Sequence, residues 1–79
     1  MPHIAVKAFP GKTDAQKQEF ANAIVREAQR IFGSSLASLS VGIEDIAPEL
    51  WAEQVYGPDI AAKWDTLRKQ PGYGPGPTR

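Results

Sequence analysis

The side chains of this 79-residue sequence that are equipped for chemistry are few, and the first is Pro2, directly behind Met1. Initiator methionine is usually excised when the second residue is small, and proline qualifies. The mature chain then begins with a secondary amine on a rigid ring. An α-amino group titrates near about 7.7–8.0, and loss of water or a nearby cation lowers that value. Such an amine is suited to general base work at neutral pH. Met-Pro starts are common, so the rest of the chain has to decide whether this one matters. Other reactive groups are scarce. There is no cysteine, hence no thiolate nucleophile, disulfide or thiolate metal site, and His3 is the only histidine, too few for a conventional zinc site. Gly11-Lys12-Thr13 lacks the earlier glycine of a phosphate-binding loop.

These residues need elements to hold them. Between His3 and Phe9, Ile4, Val6 and Ala8 alternate with His3, Ala5, Lys7 and Phe9, which predicts a strand. By that alternation His3 points away from its neighbour Pro2. Phe9-Pro10-Gly11-Lys12 breaks the strand. Thr13-Asp14-Ala15-Gln16 has the capping-box pattern, so a helix is expected from about Asp14 to Phe32 with Phe20, Ile24, Ala28 and Ile31 as its apolar stripe. Gly33 is placed to end it in a left-handed cap. Leu36 to Ile46 contains a second strand, with Leu39, Val41 and Ile43 alternating against Ser40, Gly42 and Glu44. Strand, long helix, strand is a βαβ unit with parallel strands and a right-handed crossover. Two short helices should follow, Pro48 to Tyr56 and Pro58 to Lys69, interrupted at Gly57-Pro58, with Ile60, Trp64 and Leu67 along one face of the second. The Pro/Gly-rich segment 71–79 should be irregular.

The expected fold class is α+β, a single domain over 1–79. A domain this small buries only about 60% of its unfolded surface, and it has no disulfide or metal to staple it. A lone pair of parallel strands also leaves unpaired edges and apolar faces. Self-association is therefore expected, joining two strand pairs into a four-stranded sheet with the long helices on one face. Nine basic residues balance nine acidic ones, which disfavours nucleic acid as a partner. No apolar run approaches the roughly 20 residues of a membrane span. The lack of cysteine fits a cytoplasmic protein.

Pro2, the strand through Phe9, Gly11-Lys12-Thr13-Asp14-Ala15-Gln16-Lys17, the long helix and Ser38-Leu39-Ser40-Val41-Gly42-Ile43 together resemble the 4-oxalocrotonate tautomerase family, without gaps from Pro2 to about Ile46. The later part, Ile46-Ala47-Pro48-Glu49-Leu50-Trp51 through Lys69-Gln70-Pro71-Gly72-Tyr73, is similar to a branch of slightly longer, dimeric members that act on phenylenolpyruvate. The resemblance implies a keto–enol tautomerase that uses no metal or organic cofactor. Pro2 would be the base, moving a proton from an enol hydroxyl, or from carbon, to carbon elsewhere on a small enol or keto acid.

The resemblance also marks departures. Dicarboxylate-specific members carry arginines where this chain has Lys12 and Ser40. Lys12 keeps the charge without the bidentate fork; it is either a substrate contact or a solvated loop residue. Ser40 can donate a hydrogen bond or can be a plain polar strand residue. Trp51 matches the aromatic region that lines the family's pocket, and packing in a core or interface is its alternative role. The loss of both arginines favours an aromatic enol acid with one carboxylate over a compact dicarboxylate. Tyr73, in the tail, has no role fixed by the sequence. Two rival functions stay open: a dehalogenase or decarboxylase that uses the proline as an acid, and a non-catalytic dimeric binding module, which retained Met1 would favour. A homodimer is expected, with a hexamer as the other assembly of the family.

Overall fold

The computed structural model describes residues 1–78, so Arg79 of the expected irregular tail lies outside the described residues. The chain divides into two compact units, Met1–Asp45 and Ile46–Arg79.

In the first unit, strand β1 (His3–Ala8) and strand β2 (Ser40–Asp45) flank helix α1 (Asp14–Phe32). The strands pair in parallel, from His3 opposite Ser40 to Ala8 opposite Asp45. The βαβ unit expected from the hydrophobic periods is therefore present. Helix α1 starts where the capping box placed it. The Thr13 hydroxyl accepts from the Gln16 N–H at 3.0 Å, and Gln16 Oε1 accepts from the Thr13 N–H at 2.9 Å. Gly33 ends the helix in the left-handed conformation, φ 70°, with its N–H donated to the Gln29 carbonyl. A short 3₁₀ turn, Leu36–Ser38, leads into β2.

Alternation divides the sheet into two faces. Ile4, Val6, Val41 and Ile43 are half-buried, and Val41, Ile43 and the α1 residue Ala21 line a common cavity, so this face carries the helix. His3, Ala5, Ser40, Gly42 and Glu44 point the other way and are exposed. The predicted helix stripe is only partly covered. Ile24 and Ala28 are half-buried, but Phe20 and Ile31 stay 52% and 63% exposed.

The second unit holds all three buried hydrophobic side chains among the described residues, Ile46, Val55 and Tyr56. A 3₁₀ turn at Pro48–Leu50 precedes a ten-residue π-helical segment, Ala52–Ala61, and a 3₁₀ turn at Trp64–Thr66 follows. This corrects the expected pair of short helices, because Gly57-Pro58 lies inside the π-helical segment and does not break it. Proline normally breaks a helix by removing an i→i−4 hydrogen bond and crowding the carbonyl of residue i−4. In the wider winding each N–H reaches five residues back, as Ala62 does to the Gly57 carbonyl at 3.0 Å. Gly57 assists, since a Cβ there would sit 3.3 Å from the Ala52 carbonyl oxygen. Ile60, Trp64 and Leu67 are all half-buried, although no continuous helix joins them.

The tail to Thr78 contains no helix or strand, as its composition predicts, but it is strapped down. The Tyr56 hydroxyl accepts from the Gly76 N–H at 2.9 Å and donates to the Tyr73 carbonyl at 3.4 Å. Thr78 N–H donates to the Ala61 carbonyl at 3.1 Å.

Candidate active site

Pro2 is half-buried at the start of β1, and its carbonyl accepts the Ser40 N–H at 3.4 Å. The parallel register thus fixes the residue that carries the candidate base against the residue expected to contact substrate. Met1 projects from this point fully exposed.

His3 belongs with them. Sequence alternation sets it aside as pointing away from Pro2, yet its Nδ1 lies 2.7 Å from the Ser40 hydroxyl. Paired residues of adjacent parallel strands share a face, so the opposition of His3 and Ser40 brings the imidazole to Ser40 whatever the direction of Pro2. The signal that finds this contact is the strand register, which periodicity within one strand does not supply.

Lys12 is elsewhere. It is exposed in the loop after β1, at the opposite end of the sheet from Pro2. The length of β1 alone, about 16 Å at about 3.3 Å per residue, separates the two ends. There Lys12 joins Val6, Ala8, Phe9, Phe20 and Ile43 around a largely apolar cavity of about 270 Å³. An ion pair between Lys17 and Asp45, 3.0 Å, stands at its edge.

Trp51 sits at the head of the π-helical segment in the second unit, half-buried, with its indole N–H donated to the Tyr73 hydroxyl at 3.0 Å. The Tyr73 ring in turn leans on Tyr56, centroids 5.6 Å apart and planes tilted by 55°. Tyr73 therefore has a structural partner that its place in a Pro/Gly-rich tail did not reveal. Among the described residues no three His, Cys, Asp or Glu side chains gather as a metal site, and no helix is long and apolar enough to cross a membrane.

Residues 2–58 match the model of the tautomerase enzyme family. The chain belongs to the tautomerase family. Tautomerases are isomerases that interconvert keto and enol groups, so the protein is an enzyme of that class. It is 45% identical over 74 residues to tautomerase PptA of Pectobacterium atrosepticum, covering 92% of this chain and 97% of the relative. To a probable tautomerase of Xylella fastidiosa it is 40% identical over 74 residues, covering 94% and 90%. Among solved structures, YwhB, a homologue of 4-oxalocrotonate tautomerase, superposes with a TM-score of 0.56 at 28% identity over 58% of this chain and 75% of that one. TomN, a 4-oxalocrotonate tautomerase homologue of tomaymycin biosynthesis, has a TM-score of 0.60 at 24% identity, over 63% of this chain and 77% of its own, and shares the fold. The tautomerase fold and the 4-oxalocrotonate tautomerase-like family expected from the sequence are thus both present.

Proposed function

We propose that this tautomerase uses the free amine of Pro2 as a general base on an enol acid with one carboxylate, an arylenolpyruvate or a 2-hydroxydienoate. The observation that carries the proposal is the position of Pro2. It is half-buried at a strand end, with its carbonyl tied to the Ser40 N–H, in a chain of this family. Burial of a free amine disfavours its charged form and favours the base form. The neutral nitrogen takes the proton of the enol hydroxyl. As the oxygen electrons form the carbonyl, the carbon–carbon π pair takes a proton back from the ring nitrogen, and the amine is regenerated. The Ser40 hydroxyl orients the substrate oxygens. No metal or organic cofactor takes part.

In this reading the working unit is a cytoplasmic homodimer. Its support is the first unit's lack of any buried hydrophobic side chain among the described residues, together with the exposure of Phe20, Ile31, Phe32 and Leu36. Lys12, at the far end of the sheet from its own Pro2, contacts substrate only at the Pro2 of another copy.

Protein freed of Met1, verified by intact mass, should ketonise phenylenolpyruvate. Pro2→Ala should lower kcat by about 10²–10⁴, the range of a positioned general base. Equal activity in the two proteins would remove Pro2 from the role.

A further inference from the structure

We propose that His3 is a positioning residue that sets the hydrogen-bond polarity of Ser40, and through it the affinity of the site for an anionic substrate in a pH-dependent way. The inference rests on the tautomerase reading of Ser40 as a substrate contact, and it starts from the 2.7 Å contact between His3 Nδ1 and the Ser40 hydroxyl. A hydroxyl has one proton to give. When Nδ1 carries no proton, Ser40 donates its proton to the ring, and only lone pairs are left to face a carboxylate or an enolate oxygen. When Nδ1 carries a proton, the ring donates to Ser40 and the hydroxyl proton is released toward the substrate. The first state repels an oxyanion and the second binds it.

Three features make the pair able to act this way. The backbones of both residues are locked, since His3 and Ser40 are paired partners and Ser40 N–H holds the Pro2 carbonyl. Both side chains are exposed on the sheet face opposite the helix, so a ligand can reach the hydroxyl. The charges of the first unit on that face are Lys7 and Glu44, four residues along the same strands, with the amine at the chain start beside His3. Helix α1 packs on the other face, where Lys17 is engaged by Asp45. Imidazoles change charge between about pH 5 and 8. Acidification fixes Nδ1 as a donor and so improves substrate binding, while the same acidification protonates the Pro2 amine and slows turnover. KM and kcat should therefore both fall on the acid side, for separate reasons.

The test uses the full chain with Met1 removed, assayed on phenylenolpyruvate between pH 5.5 and 8.5. A hydrogen bond to a charged group gained across this range corresponds to a KM roughly tenfold lower at the acid end. His3→Asn keeps an amide donor near the place of Nδ1 that does not titrate, and its KM should be flat with pH. Ser40→Ala should raise KM at every pH and lose most of the slope. A flat parental KM, or an undiminished slope in His3→Asn, overturns the proposal. Because His3 is the only histidine, its ring nitrogens can be read by NMR without assignment. In the ligand-free enzyme the neutral ring should carry its proton on Nε2 at pH 8.5 and both nitrogens should be protonated at pH 5.5. An Nδ1 proton at both pH values means that the polarity never changes, which also overturns the proposal. If the parent fails to ketonise phenylenolpyruvate, the substrate reading fails, and the NMR measurement still judges the switch.

Discussion

Pro2 and Ser40 are joined through their backbones, the Pro2 carbonyl accepting the Ser40 N–H. Their contact was half legible in the sequence. Pro2 stands out by its place behind Met1, but its partner lies across the sheet, and only the register joins them. His3 was missed for the same reason, and Lys12 stands at the other end of the strands because six extended residues intervene. In the proposed function, Lys12 also bears on specificity. Its single ammonium cannot grip a carboxylate through two parallel hydrogen bonds, as a guanidinium does. Lys12→Arg should therefore lower KM several-fold for a dicarboxylate such as 2-hydroxymuconate and change it little for phenylenolpyruvate, as steady-state kinetics on the two substrates will show. In the second unit, Gly74 is the most constrained position. Its φ is +84°, and a Cβ there would overlap the Tyr56 ring. Gly74→Ala should destabilise the protein by roughly 2–4 kcal/mol, from overpacking plus backbone strain. Gly76 has a similar φ of +93° but open space around it, so Gly76→Ala should cost about 1 kcal/mol. Urea unfolding of the two variants separates the contributions.

At the scale of elements, the strands and the long helix were readable because each announces itself locally. Period two marks the strands, and the Thr13–Gln16 box and Gly33 bracket the helix. Thr13→Ala removes the cap and should cost about 1 kcal/mol in a thermal or denaturant melt, whereas Thr13→Ser should cost little. The π-helical segment was not readable. Gly57-Pro58 signals a break in a helix of ordinary winding, and nothing in the local pattern signals a winding that tolerates the pair. The tail was legible as irregular but not as anchored. Its hold comes from Tyr56 and Ala61, which lie well before it in the sequence.

For the whole molecule, the distribution of burial is the main result. A first unit without one buried hydrophobic side chain, bearing exposed Phe20, Ile31, Phe32 and Leu36 on and beside its helix, has apolar surface to cover. Composition and length already pointed that way, since a small chain without disulfides or metal has association as its remaining staple. Whether that surface meets another copy was not legible, because the apolar stripe of α1 reads alike whether it faces its own sheet or another copy. If folding is linked to dimerisation, the thermal midpoint must rise with protein concentration. Calorimetry over a hundredfold range of concentration should show that rise, and Phe20→Asp combined with Ile31→Asp should lower the midpoint and shift sedimentation toward the monomer.

The strap over Tyr56 also works as a clock. A phenol ring turning about its long axis keeps its hydroxyl in place, so the bonds to Gly76 and Tyr73 do not resist the rotation. Gly74 stands in the way, because the ring edge already fills the space where a Cβ of that residue would sit. A half-turn of Tyr56 is therefore expected to be easier when the tail lifts. The ring's flip rate, slow enough to split its proton resonances if the strap opens rarely, counts those openings one by one.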